Sequence, residues 1–105
     1  MIDGKITIRY LQEYIRSKDH HPELKDQYFM RLAEEVGELS HAMRKNLRPS
    51  QPGQIKETVE EELWDVMYYC IAIANLYDID LEEVIREKEV LNNMKYQNTV
   101  TFEPQ

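Results

Sequence analysis

The spacing of apolar residues along the chain predicts four helices. Apolar positions recur at intervals of three and four residues, which is the period of a helix that buries one face. The approximate ranges of these helices are 7–18, 26–46, 55–77 and 81–96. Asp80 can serve as the N-cap of the last helix, and the loop between the second and third is 46–54, NLRPSQPGQ, with two prolines and a glycine. The pattern therefore indicates an all-α fold.

The second and third helices differ in how much surface they need to bury. The second has a single apolar face, predicted to consist of Phe29, Leu32, Ala33, Val36, Leu39 and Met43. The third is amphipathic over 55–65, but residues 67–77, MYYCIAIANLY, are apolar on nearly all sides. Such a helix is buried on more than one side, and four short helices can scarcely enclose it. We therefore expect a helix bundle completed by homo-oligomerisation, with a monomer that wraps this helix as the alternative.

Composition limits the class of protein. The 105 residues are enough for one domain, predicted as a helical domain over 1–96 and a C-terminal arm or disordered tail over 97–105. The net charge of −7 argues against binding to a nucleic acid polymer, which requires many cations. No apolar run reaches the roughly 20 residues of a membrane span, and the N-terminus lacks the layout of a signal peptide. Cys70 is the single cysteine and cannot form an intrachain disulfide, so we expect a cytoplasmic protein without a membrane partner.

Two pairs of carboxylates flank the predicted apolar faces. In RLAEEVGELSHAM, residues 31–43, Glu35 lies beside the apolar face and Glu38 follows one turn later. In EEELWD, residues 60–65, Glu62 and Asp65 share one flank. The other acids of these segments point elsewhere on the helical wheel, namely Glu34, Glu60 and Glu61. Gly37, between the first two carboxylates, is predicted to let another helix approach closely.

Four carboxylates that face one another repel unless a cation separates them. Oxygen ligands without cysteine or a histidine pair favour a hard ion, so we predict Mg²⁺, with Mn²⁺ as a substitute. The alternative is that these acids form an ordinary solvated helix face. A di-iron site is a further alternative because Glu38 and His41 form an ExxH pair, but the chain has no second Glu-x-x-His.

The last helix carries polar residues within its apolar stripe. Lys88 and Asn92 fall inside the stripe, and Tyr96 continues the same row at a spacing of four residues. A lysine on an inward face needs an anionic partner. Near four metal-binding acids, this arrangement suggests a phosphate-bearing substrate, with an internal Lys–Glu ion pair as the alternative.

These motifs together resemble a known family. EEVGEL at 34–39, EELWDVMYY at 61–69 and IDLEEVIREKEVLNNMKY at 79–96 are similar to the motifs of the MazG-like, all-α nucleoside triphosphate pyrophosphohydrolases. The resemblance is closest to the dCTP-pyrophosphatase-like branch and covers about 26–96. That branch places a tryptophan after its ExxE motif, whereas this chain has none there, and its single Trp64 points away from the acids.

The resemblance implies a four-helix MazG-like bundle that forms a homodimer or homotetramer. It implies Mg²⁺-dependent hydrolysis of an NTP or dNTP between the α- and β-phosphates, giving a monophosphate and pyrophosphate. The metal ligands carried over are Glu35, Glu38, Glu62 and Asp65. The substrate-binding residues carried over are Lys88, Asn92, Tyr69 and Tyr96. One of the four carboxylates can instead act as the general base, and Glu38 is our choice because it lies farthest from the apolar stripe.

Other functions stay open at this point. A non-catalytic oligomeric helix bundle could act as a regulator, since a fold alone does not prove activity. Within the enzyme class, phosphoribosyl-ATP pyrophosphohydrolase is a close relative in fold and chemistry. His20 and His21 are expected in a solvated loop, and contact with substrate is the alternative for both.

Overall fold

The computed structural model describes residues 4–96 and 100–103, and these contain helices but no strand. The four α-helices are α1 (Ile8–Lys18), α2 (Lys25–Arg44), α3 (Val59–Leu76) and α4 (Leu81–Tyr96). A single 3₁₀ turn, Pro22–Leu24, precedes α2. The predicted all-α fold of four helices is confirmed. None of the helices within the described residues is long and apolar enough to span a bilayer.

Side-chain caps fix the first residue of three helices. Thr7 Oγ accepts a hydrogen bond of 3.0 Å from the Tyr10 amide at the start of α1. Asp80 Oδ1 accepts one of 3.0 Å from the Glu82 amide at the start of α4, which confirms the predicted N-cap. Thr58 caps α3, so this helix begins four residues later than predicted.

The late start of α3 has a local cause. The Thr58 amide donates to the Ile55 carbonyl, which closes a turn over 55–58, and Glu57 has a φ of 65°, outside the right-handed helical region. At the start of the loop between α2 and α3, α2 ends at Arg44 rather than at the predicted residue 46, because Asn46 has a left-handed φ of 51°. Glu62 consequently lies in the first turn of α3.

The helices α2 and α3 pack antiparallel, but through a different face of α2 from the one predicted. The line of α2 that is buried or half-buried consists of Tyr28, Leu32, Glu35, Leu39 and Ala42. Leu32 and Leu39 belong to the predicted face, and Ala33 is exposed. Phe29, Val36 and Met43 are 64%, 49% and 62% exposed. They form a neighbouring apolar line that the helices of the described residues leave exposed.

The core lies where α1 crosses the C-terminal half of α3. Its buried members are Ile15, Tyr28, Ile71, Ala72 and Leu76. A buried pair of amides locks the same crossing, because Gln12 Nε2 donates 3.0 Å to Asn75 Oδ1 and Asn75 Nδ2 donates 2.9 Å to the Gln12 carbonyl. Gln12 Oε1 also accepts from the Leu81 amide at 3.0 Å, which ties the start of α4 to α1.

Helix α4 packs mainly against α1 and buries none of its residues. Of its predicted apolar stripe, Leu81 is half-buried and packs against the core, whereas Val84, Ile85 and Leu91 are exposed. Lys88 is exposed in the single chain, and its inward position in an oligomer stays a prediction. Of the predicted C-terminal arm, residues 97–99 and 104–105 lie outside the described residues, and 100–103 form neither helix nor strand.

Candidate metal centre

The antiparallel pairing of α2 and α3 brings three of the four predicted metal ligands together. Glu35 comes from α2, and Glu62 and Asp65 come from successive turns of α3, three residues apart. Each offers a carboxylate oxygen, and the three oxygens all lie within 4.8 Å of one another. An arrangement of three carboxylates on two packed helices matches the oxygen donors that Mg²⁺ and Mn²⁺ prefer. We call Glu35, Glu62 and Asp65 the carboxylate triad.

Glu62 is the most buried member of the triad. It is 5% exposed, and its Oε2 atom is buried without a hydrogen-bond partner among the described residues. A buried polar atom without a partner carries a desolvation cost that native structures rarely leave uncompensated. The residues present thus fit a divalent cation, which would supply the missing partner.

The electrostatics of the triad indicate the same need for positive charge. Burial raises the pKa of Glu62, and the charges of Glu38, Asp65 and Glu35 raise it further, to about 7. Burial also raises the pKa of Glu35 and of Asp65, with smaller contributions from neighbouring carboxylates. Three carboxyl groups with raised pKa values in one cluster are typical of functional sites rather than of a solvated helix face.

Glu38 lies beside the triad without belonging to it. It is exposed, and with Glu62 it lines a cavity of about 600 Å³. The charge of Glu38 raises the pKa of Glu62 and the pKa of Asp65, so Glu38 is close enough to both carboxyl groups to interact with them electrostatically. His41 lines the same cavity but is absent from the cluster of metal-ligating atoms, which gives the di-iron alternative no support.

Gly37 lines the 600 Å³ cavity next to Glu38. A Cβ atom built on this residue would meet nothing within 4 Å, so among the described residues no helix approaches it closely. The predicted close approach of another helix is therefore not made within the single chain. The absence of a side chain leaves this cavity wall open.

The acids that were predicted to point elsewhere do so. Arg48 Nε donates to Glu60 Oε2 at 2.8 Å, and Glu61 accepts from the Glu57 amide at 2.9 Å before the first turn of α3. Glu34 is exposed and lies 3.7 Å from Arg31. These three residues have local partners and lie outside the cluster of metal-ligating atoms, although the charge of Glu61 raises the pKa of Asp65 and Glu34 lines the 600 Å³ cavity.

Of the predicted substrate-binding residues, only Tyr69 lies beside the triad, one turn beyond Asp65 on α3. Its hydroxyl accepts a long hydrogen bond of 3.4 Å from Arg31 Nε. The α4 residues make contacts along their own helix: Asn92 Nδ2 donates to Glu89 at 3.4 Å, and Lys95 Nζ lies 5.2 Å from the Tyr96 ring. Lys88 is exposed, and neither cavity beside the triad includes it.

A smaller cavity of about 220 Å³ adjoins the Arg31–Tyr69 contact. His21 and Tyr28 line it, while His20 does not. Arg31 is a charged residue that the sequence interpretation missed. Its position four residues before Glu35, on the same face of α2, was the available signal.

Comparison with known proteins identifies the family. The model of the MazG nucleotide pyrophosphohydrolase domain matches residues 24–95. The chain belongs to the MazG nucleotide pyrophosphohydrolase family. Membership confirms the predicted family and the predicted enzyme class, a hydrolase that acts on the phosphoric anhydrides of nucleoside triphosphates.

Solved structures of iMazG agree with this family, and one curated protein is similar to part of the chain. The crystal structure of N-tagged iMazG from Vibrio DAT 722 has a TM-score of 0.79 and 41% identity, covering 89% of this chain and 100% of that chain. The C-tagged form has a TM-score of 0.78 and 42% identity, covering 84% and 99%. The uncharacterized protein YpjD of Bacillus subtilis (strain 168) is 38% identical over 55 residues. That match spans half the length of this chain and half that of the relative.

The raised pKa of Glu62 predicts how the stability of the metal-free protein depends on pH. Its carboxyl group titrates near 4.5 when unfolded and near 7 when folded. Its stabilising contribution is therefore complete below the unfolded pKa and is lost as the pH rises through about 7. The raised pKa values of Glu35 and Asp65 act in the same direction. We expect the free energy of unfolding in EDTA to fall between pH 5.5 and pH 8.

The variant Glu62→Gln isolates this effect. Between pH 5.5 and pH 8, we expect the free energy of unfolding of Glu62→Gln to fall by about 1–2 kcal/mol less than that of the wild type. This difference is smaller than the free energy that corresponds to the whole pKa shift, because neighbouring groups and solvent share the charge. Urea unfolding followed by circular dichroism at one protein concentration measures it. Glu87→Gln, an exposed site on α4, is the control and should keep the wild-type slope. Parallel curves for Glu62→Gln and wild type would contradict the raised pKa.

Proposed function

We propose that the chain catalyses Mg²⁺-dependent hydrolysis of a nucleoside triphosphate, an NTP or dNTP, between its α- and β-phosphates. The products are the nucleoside monophosphate and pyrophosphate. The observation that carries this proposal is the carboxylate triad with the unpartnered, buried Oε2 atom of Glu62. Membership of the pyrophosphohydrolase family supports the same chemistry.

Glu35, Glu62 and Asp65 would hold the metal, with Glu38 as a further ligand or as the base beside it. When bound, Mg²⁺ neutralises phosphate charge and orients the reacting groups. Mn²⁺ has similar ligand preferences and is the expected substitute. Because Glu62 is buried, its charge is costly without a cation, so binding of the metal and ionisation of Glu62 are coupled.

Glu38 is the proposed general base. Its carboxylate at the edge of the 600 Å³ cavity is exposed to water, whereas Glu62, which lines the same cavity, is only 5% exposed. Glu38 would accept a proton from the attacking water as the water oxygen bonds to phosphorus. The bridging P–O bond between the α- and β-phosphates then breaks, and pyrophosphate and the monophosphate separate.

The remaining substrate contacts are proposed to come from a homodimer or homotetramer. The exposed line Phe29, Val36 and Met43 on α2 and the exposed stripe on α4 are apolar surfaces that one chain leaves open. Packing of identical chains would cover both. We propose that Lys88, Asn92 and Tyr96 of one subunit reach the triphosphate bound at the carboxylates of another, alongside Tyr69.

The cellular setting follows from composition. The net charge of −7 disfavours nucleic acid polymers as partners, so the expected partner is the free nucleotide. The single cysteine suits a reducing compartment, and we propose the cytoplasm without a membrane partner.

A substrate panel tests the enzyme directly. We expect Mg²⁺-dependent release of pyrophosphate and a monophosphate from at least one NTP or dNTP. Phosphoribosyl-ATP belongs in the panel, because its cleavage alone would assign the related pyrophosphohydrolase activity. Asp65→Asn should lower turnover by about a hundredfold or more through loss of a metal ligand, while the helical circular dichroism signal persists. No metal-dependent turnover of any of these compounds would exclude the proposed activity.

The variant Glu38→Gln separates the base from the metal ligands. We expect kcat to fall by about 10²–10⁴-fold, which is typical for loss of a general base. Calorimetric Mn²⁺ affinity should fall far less than in Glu62→Gln, because Glu38 lies outside the triad. Near-normal kcat in Glu38→Gln would assign the base to another residue.

Mixing two inactive variants tests the shared site. In an oligomer, Asp65→Asn lacks a metal ligand and Lys88→Gln lacks the proposed phosphate contact. If Lys88 acts across the interface, subunit exchange in a dimer restores one intact site per mixed dimer, or about a quarter of wild-type activity. Light scattering after size exclusion should also give a mass above 12.6 kDa. No recovery despite proven exchange would place Lys88 in its own subunit's site or outside the site.

A further inference from the structure

Arg31 and Tyr69 form the next pair of facing residues along α2 and α3 after the carboxylate triad. Arg31 precedes Glu35 by one helical turn, and Tyr69 follows Asp65 by one turn. The Arg31–Tyr69 pair therefore lies one turn along the antiparallel helices from Glu35 and Asp65. Arg31 Nε lies 3.4 Å from the Tyr69 hydroxyl, and the guanidinium carbon lies 5.8 Å from the centre of that ring. A cation is thereby held beside the group of acids.

The charge of Arg31 is available to a ligand. Its closest partner is a neutral phenol, and its contact with Glu34 is 3.7 Å long between side chains that are 57% and 60% exposed. An exposed ion pair of this kind contributes little and is easily replaced. By contrast, Arg48 is bound to Glu60 through both Nε and Nη2. Arg31 also lines the 220 Å³ cavity, so the guanidinium borders open space; the lining includes Asp19 and no member of the triad.

A polyphosphate at the triad would need such a cation. It carries several negative charges and would lie against Glu35, Glu62, Asp65 and the neighbouring Glu38. A divalent ion compensates only part of this charge, and phosphate oxygens without a cation would face carboxylates. A guanidinium offers a planar fork of donors that matches two phosphate oxygens.

We propose that Arg31 is a substrate-binding residue that contacts the phosphate oxygens left uncovered by the metal. Tyr69 acts as its positioning residue, since its hydroxyl accepts from Nε; Nη2 is then left to the ligand, and Nη1 becomes available when the exposed 3.7 Å contact with Glu34 is replaced. This inference rests on the proposed function, because it takes the carboxylate triad as the place where a polyphosphate binds. It goes further by naming the residue that supplies the fixed positive charge.

Calorimetric titration with inorganic tripolyphosphate in the presence of Mg²⁺ tests Arg31 without requiring turnover. We expect Arg31→Gln to weaken binding by about tenfold or more, as for loss of a charge-assisted hydrogen bond. Arg31→Lys should recover only part of the affinity, because lysine keeps the charge but not the fork. Arg44→Gln removes the same charge from an exposed site on the same helix and should bind within twofold of wild type. Circular dichroism melting of each variant verifies the fold.

The same variants distinguish this inference from the proposed function. If nucleotides are hydrolysed, Arg31→Gln should raise KM by a similar factor, and Tyr69→Phe should raise it less because it removes only the orienting acceptor. Loss of tripolyphosphate binding in Arg31→Gln without turnover of any nucleotide by the wild type would support the site and refute the activity. Hydrolysis by a folded Arg31→Gln variant with wild-type KM and tripolyphosphate affinity would overturn the role of Arg31 and leave the activity intact. Failure of the wild type to bind tripolyphosphate would also overturn it.

Discussion

Glu62 is buried in the first turn of α3 with its carboxylate among three others, and one of its oxygen atoms has no partner within the described structure. This cluster costs free energy in the absence of a cation, and the raised pKa of Glu62 expresses that cost. The folded chain therefore opposes full ionisation of its own site, whereas a divalent ion would favour it. The proposed metal chemistry, the dependence of stability on pH and the need for Arg31 all follow from this one constraint.

The geometry of the site depends on how two helices pair. Because α2 and α3 are antiparallel, residues nearer the N-terminus of α2 face residues nearer the C-terminus of α3. Glu35 therefore meets Asp65, and Arg31 meets Tyr69 one turn further along. The turn over 55–58 and the Thr58 cap set the first residue of α3 and thereby the position of Glu62 along the helix axis. Local backbone chemistry outside the site thus decides which side chains meet within it.

Much of this arrangement could be predicted because its signals are local. Helical periodicity predicts the four helices, and the spacing of Glu35 with Glu38 and of Glu62 with Asp65 indicates a cation site. Three of these four residues, all but Glu38, have carboxylate oxygens within 4.8 Å of one another. The buried face of α2 was harder to predict, since Tyr28 and Phe29 lie about 100° apart on the wheel and only tertiary packing selects Tyr28. The surroundings of Lys88 could not be predicted from the sequence of one chain, because α4 packs mainly against α1 and leaves its apolar stripe exposed beyond Leu81. An apolar stripe indicates that a surface is to be covered, but it does not indicate which chain covers it.

The central claim is that the buried carboxylates form a cation site. Anomalous diffraction from crystals soaked in Mn²⁺ tests it most directly, because the ion itself is located. We predict an anomalous peak within bonding distance of oxygens from Glu35, Glu62 and Asp65, at the Mn–O separation of roughly 2.2 Å that is typical of hard oxygen ligands. A crystal that binds Mn²⁺ only elsewhere, with the three carboxylates unliganded, would contradict it.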